Sequence, residues 1–435
     1  MMRIAYMIRR GVWAPLVALV FLTAGCGDLF DIENPGQTLD SDLNNPDMIP
    51  ILITGLSADV SDFMDNFPFD VARLSDEMAG SGSYADTGYF RVGWAVQDEV
   101  NGAWEQAHEA IWMAELHVDR ILNDMGDLTG VDYEDYVSRA FVLQGVSHKI
   151  LGENYCQAVY SDEGAFGNLE PRTVAFDSAV AAFTRALSYG SEWTMAAHAG
   201  LASAYVGLGN WSQAASEAAM VDDDFLMVAY YDISDNYNEL YDETHNRHEM
   251  SAYNTYAGSF DPNWDPRAPI TDCRVGGCAN ELGADGVTPM LRQEKYDNPG
   301  SEIPILSGAE ARLIQAEAAL RNGDLATFTT QINRLRAIWG LDPIAQPASA
   351  GALEYPNAYD DGWSILDGER MLTLWLEGRR MWDLDRWDHP FLAGGTVVWP
   401  GENPRDGCMP VPSGECRVNP NFTCQEAAAG TIDGR

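Results

Sequence analysis

Four charged side chains near the C-terminal end of the chain alternate in sign at a spacing of three residues. They are Glu377, Arg380, Asp383 and Arg386. Residues three apart are neighbours on a helix, so Glu377 and Asp383 are candidates for a general acid–base pair. Each acid also has an arginine within one turn, and Trp387 and its neighbours are large enough to bury such a ridge. We therefore favour a buried ion-pair network that fixes helix packing over a catalytic pair.

Aromatic side chains are concentrated in two irregular regions, at about 64–101 and 222–307, among Gly, Ser, Asp, Asn and Pro. Flat rings pack on the C–H faces of sugars while Asn, Asp and Gln bind the hydroxyl groups. Loops on a rigid scaffold often carry binding sites, although any one of these rings is as readily a core or loop anchor. The sequence predicts a ligand site that contains Tyr84, Tyr89, Trp94, Tyr237, Tyr253, Tyr256 and Trp264.

Metal and hydrolytic chemistry find little support in the sequence. Asp222–Asp224 lacks the spaced ligands and the glycine of a calcium loop. His245 and His248 are three residues apart, whereas the histidines of a zinc protease helix are four apart. A glycosidase needs two carboxylates flanking one bond, but a chain with 66 acidic residues always offers some pair. We expect no catalytic residue, no metal and no cofactor, and keep a secreted glycoside hydrolase as an alternative.

The first 26 residues are typical of a targeting segment. Arg3, Arg9 and Arg10 precede a short apolar stretch that ends Leu-Thr-Ala-Gly-Cys at Cys26. Small residues before a cysteine resemble a bacterial lipobox, although Thr23 stands where leucine is usual. We expect Cys26 to carry acyl chains such as palmitate, because two or more chains anchor a protein stably. Ordinary secretion with an incidental Cys26 is the alternative.

Six cysteines remain after Cys26, which in an exported chain indicates up to three disulfides. Cys273 and Cys278 close a short glycine-containing loop and are predicted to form a local bridge. Zinc is the rival interpretation, but neither paired CxxC spacing nor a nearby histidine supports it.

The formal charge of −40 argues against a general nucleic-acid binder, because such a chain repels phosphate backbones. Apolar periodicity predicts helices at about 104–125, 134–151 and 174–189. The segments 196–221 and 309–337 each match the tetratricopeptide pattern of two short antiparallel helices, with turns at Gly209 and Gly323. One such unit cannot bury its own apolar face, so we expect the helix pairs to stack together. A scaffold that binds only protein is a third functional class.

The C-terminal third resembles the SusD/RagB family of outer-membrane nutrient-binding lipoproteins. The helix that opens at Ile365 continues to the run Glu377-Gly378-x-Arg380-x-x-Asp383-x-x-Arg386-Trp387, which is similar to the family signature. Asp265-Pro266-Arg267, Lys295-Tyr296 and Ala316-Glu317-Ala318 precede it in the family's order. Met409-Pro410 and Asn419-Pro420-Asn421 follow it. The resemblance implies a mostly α, SusD-like fold in which tetratricopeptide-type helix pairs pack with an irregular loop-rich region.

The resemblance also implies a function. Family members lie on the outer face of a bacterial outer membrane, bind oligosaccharide or peptide, and deliver it to a SusC-like TonB-dependent transporter without catalysis. The resulting prediction has five segments. They are a lipoprotein signal peptide (1–25), a tether and first segment (26–63), a helical scaffold with an early loop region (64–221), a loop-rich insertion (222–307) and a SusD/RagB-like region (308–435).

Changing Cys26→Ser should release the protein from membranes, because the acylated side chain is lost. Gly27→Ser keeps the cysteine and should remain in the membrane fraction. Fractionation of cells that express each variant checks the prediction, and an unchanged distribution of Cys26→Ser would contradict lipid anchoring.

Overall fold

Helices joined by short turns make up most of the protein, as a computed structural model shows. The structure describes residues 39–126, 128, 132–161, 164–234, 236–259, 265–355, 359–394 and 404–432. The predicted signal peptide and Cys26 lie outside them. Residues Asp40–Asn44 and Pro46–Met48 are short 3₁₀ helices, and the chain from Ile49 onward forms one compact unit. The predicted mostly α, SusD-like fold class is confirmed.

The α-helices are, in chain order, α1 (Ile49–Leu74), α2 (Ala85–Arg91), α3 (Asn101–Asp119), α4 (Glu134–Asn154), α5 (Thr173–Leu187), α6 (Thr194–Gly207), α7 (Trp211–Ala218), α8 (Glu239–Tyr241), α9 (Gly308–Arg321), α10 (Leu325–Ile338), α11 (Gly362–Thr373), α12 (Arg380–Arg386), α13 (Ser413–Val418) and α14 (Cys424–Ala427). The strands are β1 (Ala79–Gly80), β2 (Gln157–Ala158), β3 (Glu170–Pro171), β4 (Leu226–Ala229), β5 (Met250–Ser251), β6 (Ile270–Asp272), β7 (Leu291–Gln293) and β8 (Ile303–Ser307). They pair antiparallel as β1–β5, β2–β3, β4–β8 and β6–β7.

Helix α1 corrects the prediction that irregular chain begins at about residue 64. It runs to Leu74 and contains Pro68, which sequence rules place outside helix interiors. Ile53, Val60 and Phe67 recur at a spacing of seven and are fully buried, so one face of the helix packs along its whole length. Burial of that face outweighs the local cost of the proline.

The two tetratricopeptide-like units form as predicted and share one turn chemistry. Gly209 and Gly323 adopt φ angles of 68° and 72°, a left-handed conformation that favours glycine and ends the first helix of each unit. The residue that follows each glycine then caps the second helix of the unit. The side chains of Asn210 and Asp324 accept the backbone N–H groups of Gln213 and Thr327, at 3.4 and 3.0 Å.

The insertion between the two units begins and ends at neighbouring positions in the fold. Strand β4 at its beginning pairs with β8 at its end, which brings α9 against α6 and α7. The units therefore stack although about 90 residues separate them.

Three disulfides are present among the described residues. Cys273–Cys278 closes the short loop, Cys416–Cys424 joins α13 to α14, and Cys156–Cys408 links the end of α4 to the C-terminal segment.

The predicted continuous helix from Ile365 to Trp387 is wrong. Helix α11 ends at Thr373 and α12 begins at Arg380. The turn between them places Leu376 and Gly378 in the left-handed region, with φ of 60° and 72°. Glu377 therefore lies in a turn and pairs with Lys295 at 2.7 Å, not with Arg380. The regular spacing of the charges predicts an unbroken helix. The ion pair between Glu377 and Lys295 joins distant segments, so the local sequence does not indicate it.

The four signature charges are buried and paired with partners on other elements. Arg380 pairs with Asp76, at 2.6 Å, and with Asp367. Asp383 pairs with Arg370 and with Arg386, both at 2.7 Å. Arg386 also binds Glu317 through two nitrogens. Burial alone would raise the pKa of the Glu317 carboxyl, but Arg386, Arg370 and Arg321 lower it to about 2. The signature is therefore a structural network.

Arg380→Ala should lower the free energy of unfolding by about 3–5 kcal/mol, because it leaves Asp76 and Asp367 buried without their cation. Arg417, whose ion pair with Asp98 is exposed, offers a matched control. Arg417→Ala should change stability by less than about 1 kcal/mol. Urea unfolding of both variants checks the prediction, and equal small losses would show that the buried network is not needed for stability.

Candidate functional site

The two irregular regions, far apart in sequence, meet at one surface. Strand β1 pairs with β5, and the backbone N–H and hydroxyl of Ser83 donate to the carboxylate of Glu249 at 2.7 and 3.0 Å. The N–H of Asp285 donates to the carbonyl oxygen of Ser81 at 2.8 Å. We call residues 79–94, 237–256 and 280–291 the loop face. Its irregular backbone is satisfied by these cross-links rather than by long strands.

Tyr84 occupies the start of α2 on the loop face. Its hydroxyl donates to Oε1 of Glu243 at 2.9 Å, and the guanidinium of Arg247 lies 4.9 Å from its ring centroid. One face of the ring is therefore already covered by a cation. Burial raises the pKa of the Glu243 carboxyl, and the negative charge of Glu239 raises it further. The partly exposed Arg247 lowers this pKa, but by less. Tyr84 acts here as a hydrogen-bond donor that helps to hold the segment 243–247.

Tyr237 precedes α8 and is exposed. The charges of Asp242 and Glu239 raise the pKa of its hydroxyl, so Tyr237 and Tyr84 border the same acidic segment. The tyrosyl hydroxyl stays protonated at neutral pH and can donate a hydrogen bond to a ligand.

Tyr89 and Trp94 leave the chain from one turn at the end of α2. The backbone N–H of Trp94 donates to the carbonyl oxygen of Tyr89 at 3.0 Å, and the residues are 44% and 38% exposed. Two accessible rings that lie on one turn offer a flat apolar surface for stacking.

The remaining predicted residues are placed differently. Tyr253 is half-buried, with the guanidinium of Arg274 at 5.7 Å from its ring. Tyr256 is only 4% exposed and lies against Arg380 and Tyr355 in the interior. This corrects the prediction for Tyr256, because a buried ring offers no face to a ligand. Trp264 lies outside the described residues.

An open cleft of about 500 Å³ lies beside Arg247 on the loop face. Its walls are the segments 246–248 and 280–284, and Asn246, Asn280 and Glu281 supply amide and carboxylate groups. His248, with φ of 59°, contacts Asn280 through Nδ1 at 3.4 Å. Amides and carboxylates are the groups that bind sugar hydroxyls. Sequence analysis did not single out Asn246, Asn280 or Glu281, and the polar composition of the insertion was their one signal.

The acids of the signature are unsuited to catalysis, because cations neutralise them in the interior. Glu377 binds Lys295, and Asp383 binds Arg370 and Arg386. Within the described ranges, no three His, Cys, Asp or Glu side chains converge in a way that could hold a metal ion.

Comparison with known proteins agrees with the resemblance found in the sequence. Residues 230–407 match the SusD family model, which confirms the predicted resemblance to SusD/RagB proteins. No protein of curated function matches the sequence.

Solved structures agree on the fold. A SusD-like carbohydrate binding protein from Bacteroides vulgatus has a TM-score of 0.60 at 14% identity, over 79% of this chain and 84% of that chain. A SusD-like protein from Bacteroides fragilis has a TM-score of 0.65 at 13% identity, over 88% and 97%. A laminarin binding SusD-like protein has a TM-score of 0.58 at 15% identity, over 85% and 99%.

Asp65 ties the loop face to α1 and should make stability depend on pH. Its Oδ1 accepts the N–H of Glu239 at 2.7 Å. Burial, with the charges of Glu239, Asp62 and Asp242, raises the pKa of the Asp65 carboxyl to about 8 despite that bond. The folded state then holds a proton that the unfolded state releases above about pH 4, so stability falls as pH rises from about 4 to 8.

Asp65→Asn keeps the acceptor oxygen but cannot ionise. Its free energy of unfolding should rise relative to wild type as pH increases through this window, by at most about 1.4 kcal/mol per pH unit. Denaturant titrations at pH 5 and pH 8 check this. Parallel profiles of the two proteins would show that Asp65 does not titrate in this range.

Proposed function

We propose that this SusD/RagB-family chain captures oligosaccharide at the bacterial cell surface and passes it to a SusC-like TonB-dependent transporter. The observation that carries the proposal is the loop face, where exposed rings accompany a polar cleft on a helical scaffold. The carbohydrate binding and laminarin binding neighbours of the same fold support sugar as the ligand class.

On the loop face, some residues offer rings for stacking and others offer hydrogen-bonding groups. The rings of Tyr89 and Trp94 offer flat apolar surface, which suits the C–H face of a pyranose. Tyr237 and the amides of Asn246 and Asn280 supply donors and acceptors. Trp264 remains part of the proposed site on the sequence argument alone.

The proposed role is binding without catalysis. A glycosidase of the usual kind needs a protonated and an ionised carboxyl placed on either side of one glycosidic bond. The signature acids Glu377 and Asp383 are held by cations in the interior, which supports a structural role for them.

Anchoring through lipids on Cys26 completes the proposal and places the protein on the outer membrane. In the part of the chain that the structure describes, no helix has both the length and the apolarity of a membrane span. The acidic surface, with a formal charge of −40, should hold the body of the protein away from anionic lipid.

Trp94→Ala should weaken oligosaccharide binding by about 1–3 kcal/mol, because its stacking area is lost. Trp339, at the end of α10, is equally accessible, at 39% against 38%, and Trp339→Ala should bind like wild type. Calorimetric titration with laminarin oligosaccharides, and then with other glycans until one binds, measures the effect. Unfolding temperatures of both variants distinguish the loss of a stacking surface from a loss of fold stability.

Three outcomes would contradict parts of this proposal. Equal affinities of Trp94→Ala and wild type would show that the site is misplaced. Cleavage of the bound glycan would contradict a binding protein. Binding of peptides but of no glycan would be consistent with ligand capture but would contradict sugar as the ligand class. Removal of divalent metal with a chelator should leave affinity unchanged.

A further inference from the structure

A second cleft, of about 430 Å³, opens between three helices of the scaffold. Helix α3 lines it with His108, Trp112 and Glu115, whose spacings of four and three place them on one helix face. Helix α4 contributes Gln144 and His148, which are four residues apart. The volume of the cleft is within the range of small-molecule sites.

Trp112 is the most exposed large ring of this cleft. It is 55% exposed, whereas the apolar stripe of the same helix, including Trp104 and Ile111, is buried. Packing of α3 therefore does not require an indole at position 112. A flat apolar face beside polar walls is the arrangement that stacks on a sugar ring.

Hydrogen-bonding groups line the same cleft as Trp112. Nδ1 of His148 lies 3.0 Å from the hydroxyl of Tyr160, and Nε2 of Gln144 donates to Oε1 of Glu115 at 3.0 Å. Nε2 of His108 is buried and has no hydrogen-bond partner in the described part of the chain. Burial lowers the pKa of His108 to about 4 and that of His148 to about 3, so both imidazoles are neutral at pH 7.

Small side chains on α5 keep the cleft open. Ser178, Ala181 and Ala182 face it, at spacings of three and one, and leave room that larger residues would fill. Arg185 stands at its end, with its guanidinium 4.2 Å from the ring of Phe141. Glu115 and Arg185 carry opposite charges, which suits a neutral ligand. The strongly negative chain as a whole disfavours an anionic one.

We propose that the cleft between α3, α4 and α5 binds a neutral sugar ring, stacked on Trp112 and hydrogen-bonded by Glu115, Gln144 and Tyr160. This site is separate from the loop face, and its existence does not depend on the function proposed for that face. It gives the scaffold helices a binding role in addition to their structural one.

Fluorine NMR of protein labelled with 5-fluorotryptophan tests the proposal, because each indole gives its own resonance. Trp112→Phe assigns the resonance of interest. The probes are methyl glycosides of glucose, galactose, mannose and N-acetylglucosamine, with laminaribiose as a disaccharide. At least one probe should shift the Trp112 resonance saturably and leave that of Trp339 unchanged.

Affinity for the probe that binds should fall at least tenfold in Trp112→Ala, measured by calorimetry, and also fall in Gln144→Leu. Trp94→Ala, on the loop face, should retain binding at this cleft, which separates this proposal from the previous one. Unfolding temperatures confirm that each variant is folded. The absence of any shift at Trp112, shifts shared equally by Trp339, or a response to tripeptides but to no sugar would each overturn the proposal.

Discussion

Neutralisation of buried arginines is the constraint on which the rest of the structure depends. The turn between α11 and α12 carries Arg380 into the interior, where Asp76 and Asp367 hold it. An arginine stays charged in a protein, so removal of an acid that pairs with it in the interior is costly. Asp76 lies in the short segment between α1 and β1, so the same ion pair fixes the chain as it enters the loop face.

Three of the sequence motifs that resemble those of the SusD/RagB family each supply one partner of an ion pair. Arg267 of the Asp-Pro-Arg turn binds Glu369, Lys295 of the Lys-Tyr pair binds Glu377, and Glu317 binds Arg386. These ion pairs join residues that are 69 to 102 positions apart, so the motifs meet across the fold.

The helix pairs were predictable because their information is local. Apolar periodicity and the glycine turns at Gly209 and Gly323 specify each unit without knowledge of the rest. Helix α1 was missed because tertiary burial outweighs Pro68, and the break near Gly378 was missed because its cause is long-range ion pairing. Aromatic content indicated the loop face, but burial could not be read from composition, so Tyr256 was included and the amides of the cleft were not.

Hydrogen–deuterium exchange with and without a bound oligosaccharide tests the central claim most directly, since it reports on the network and the loop face in one experiment. The account predicts slower exchange on binding in peptides that cover 84–94 and 237–253. Peptides covering 374–387 should exchange slowly in both states, because their charges are already paired. Ligand-induced protection confined to 374–387, with the loop segments unchanged, would contradict it.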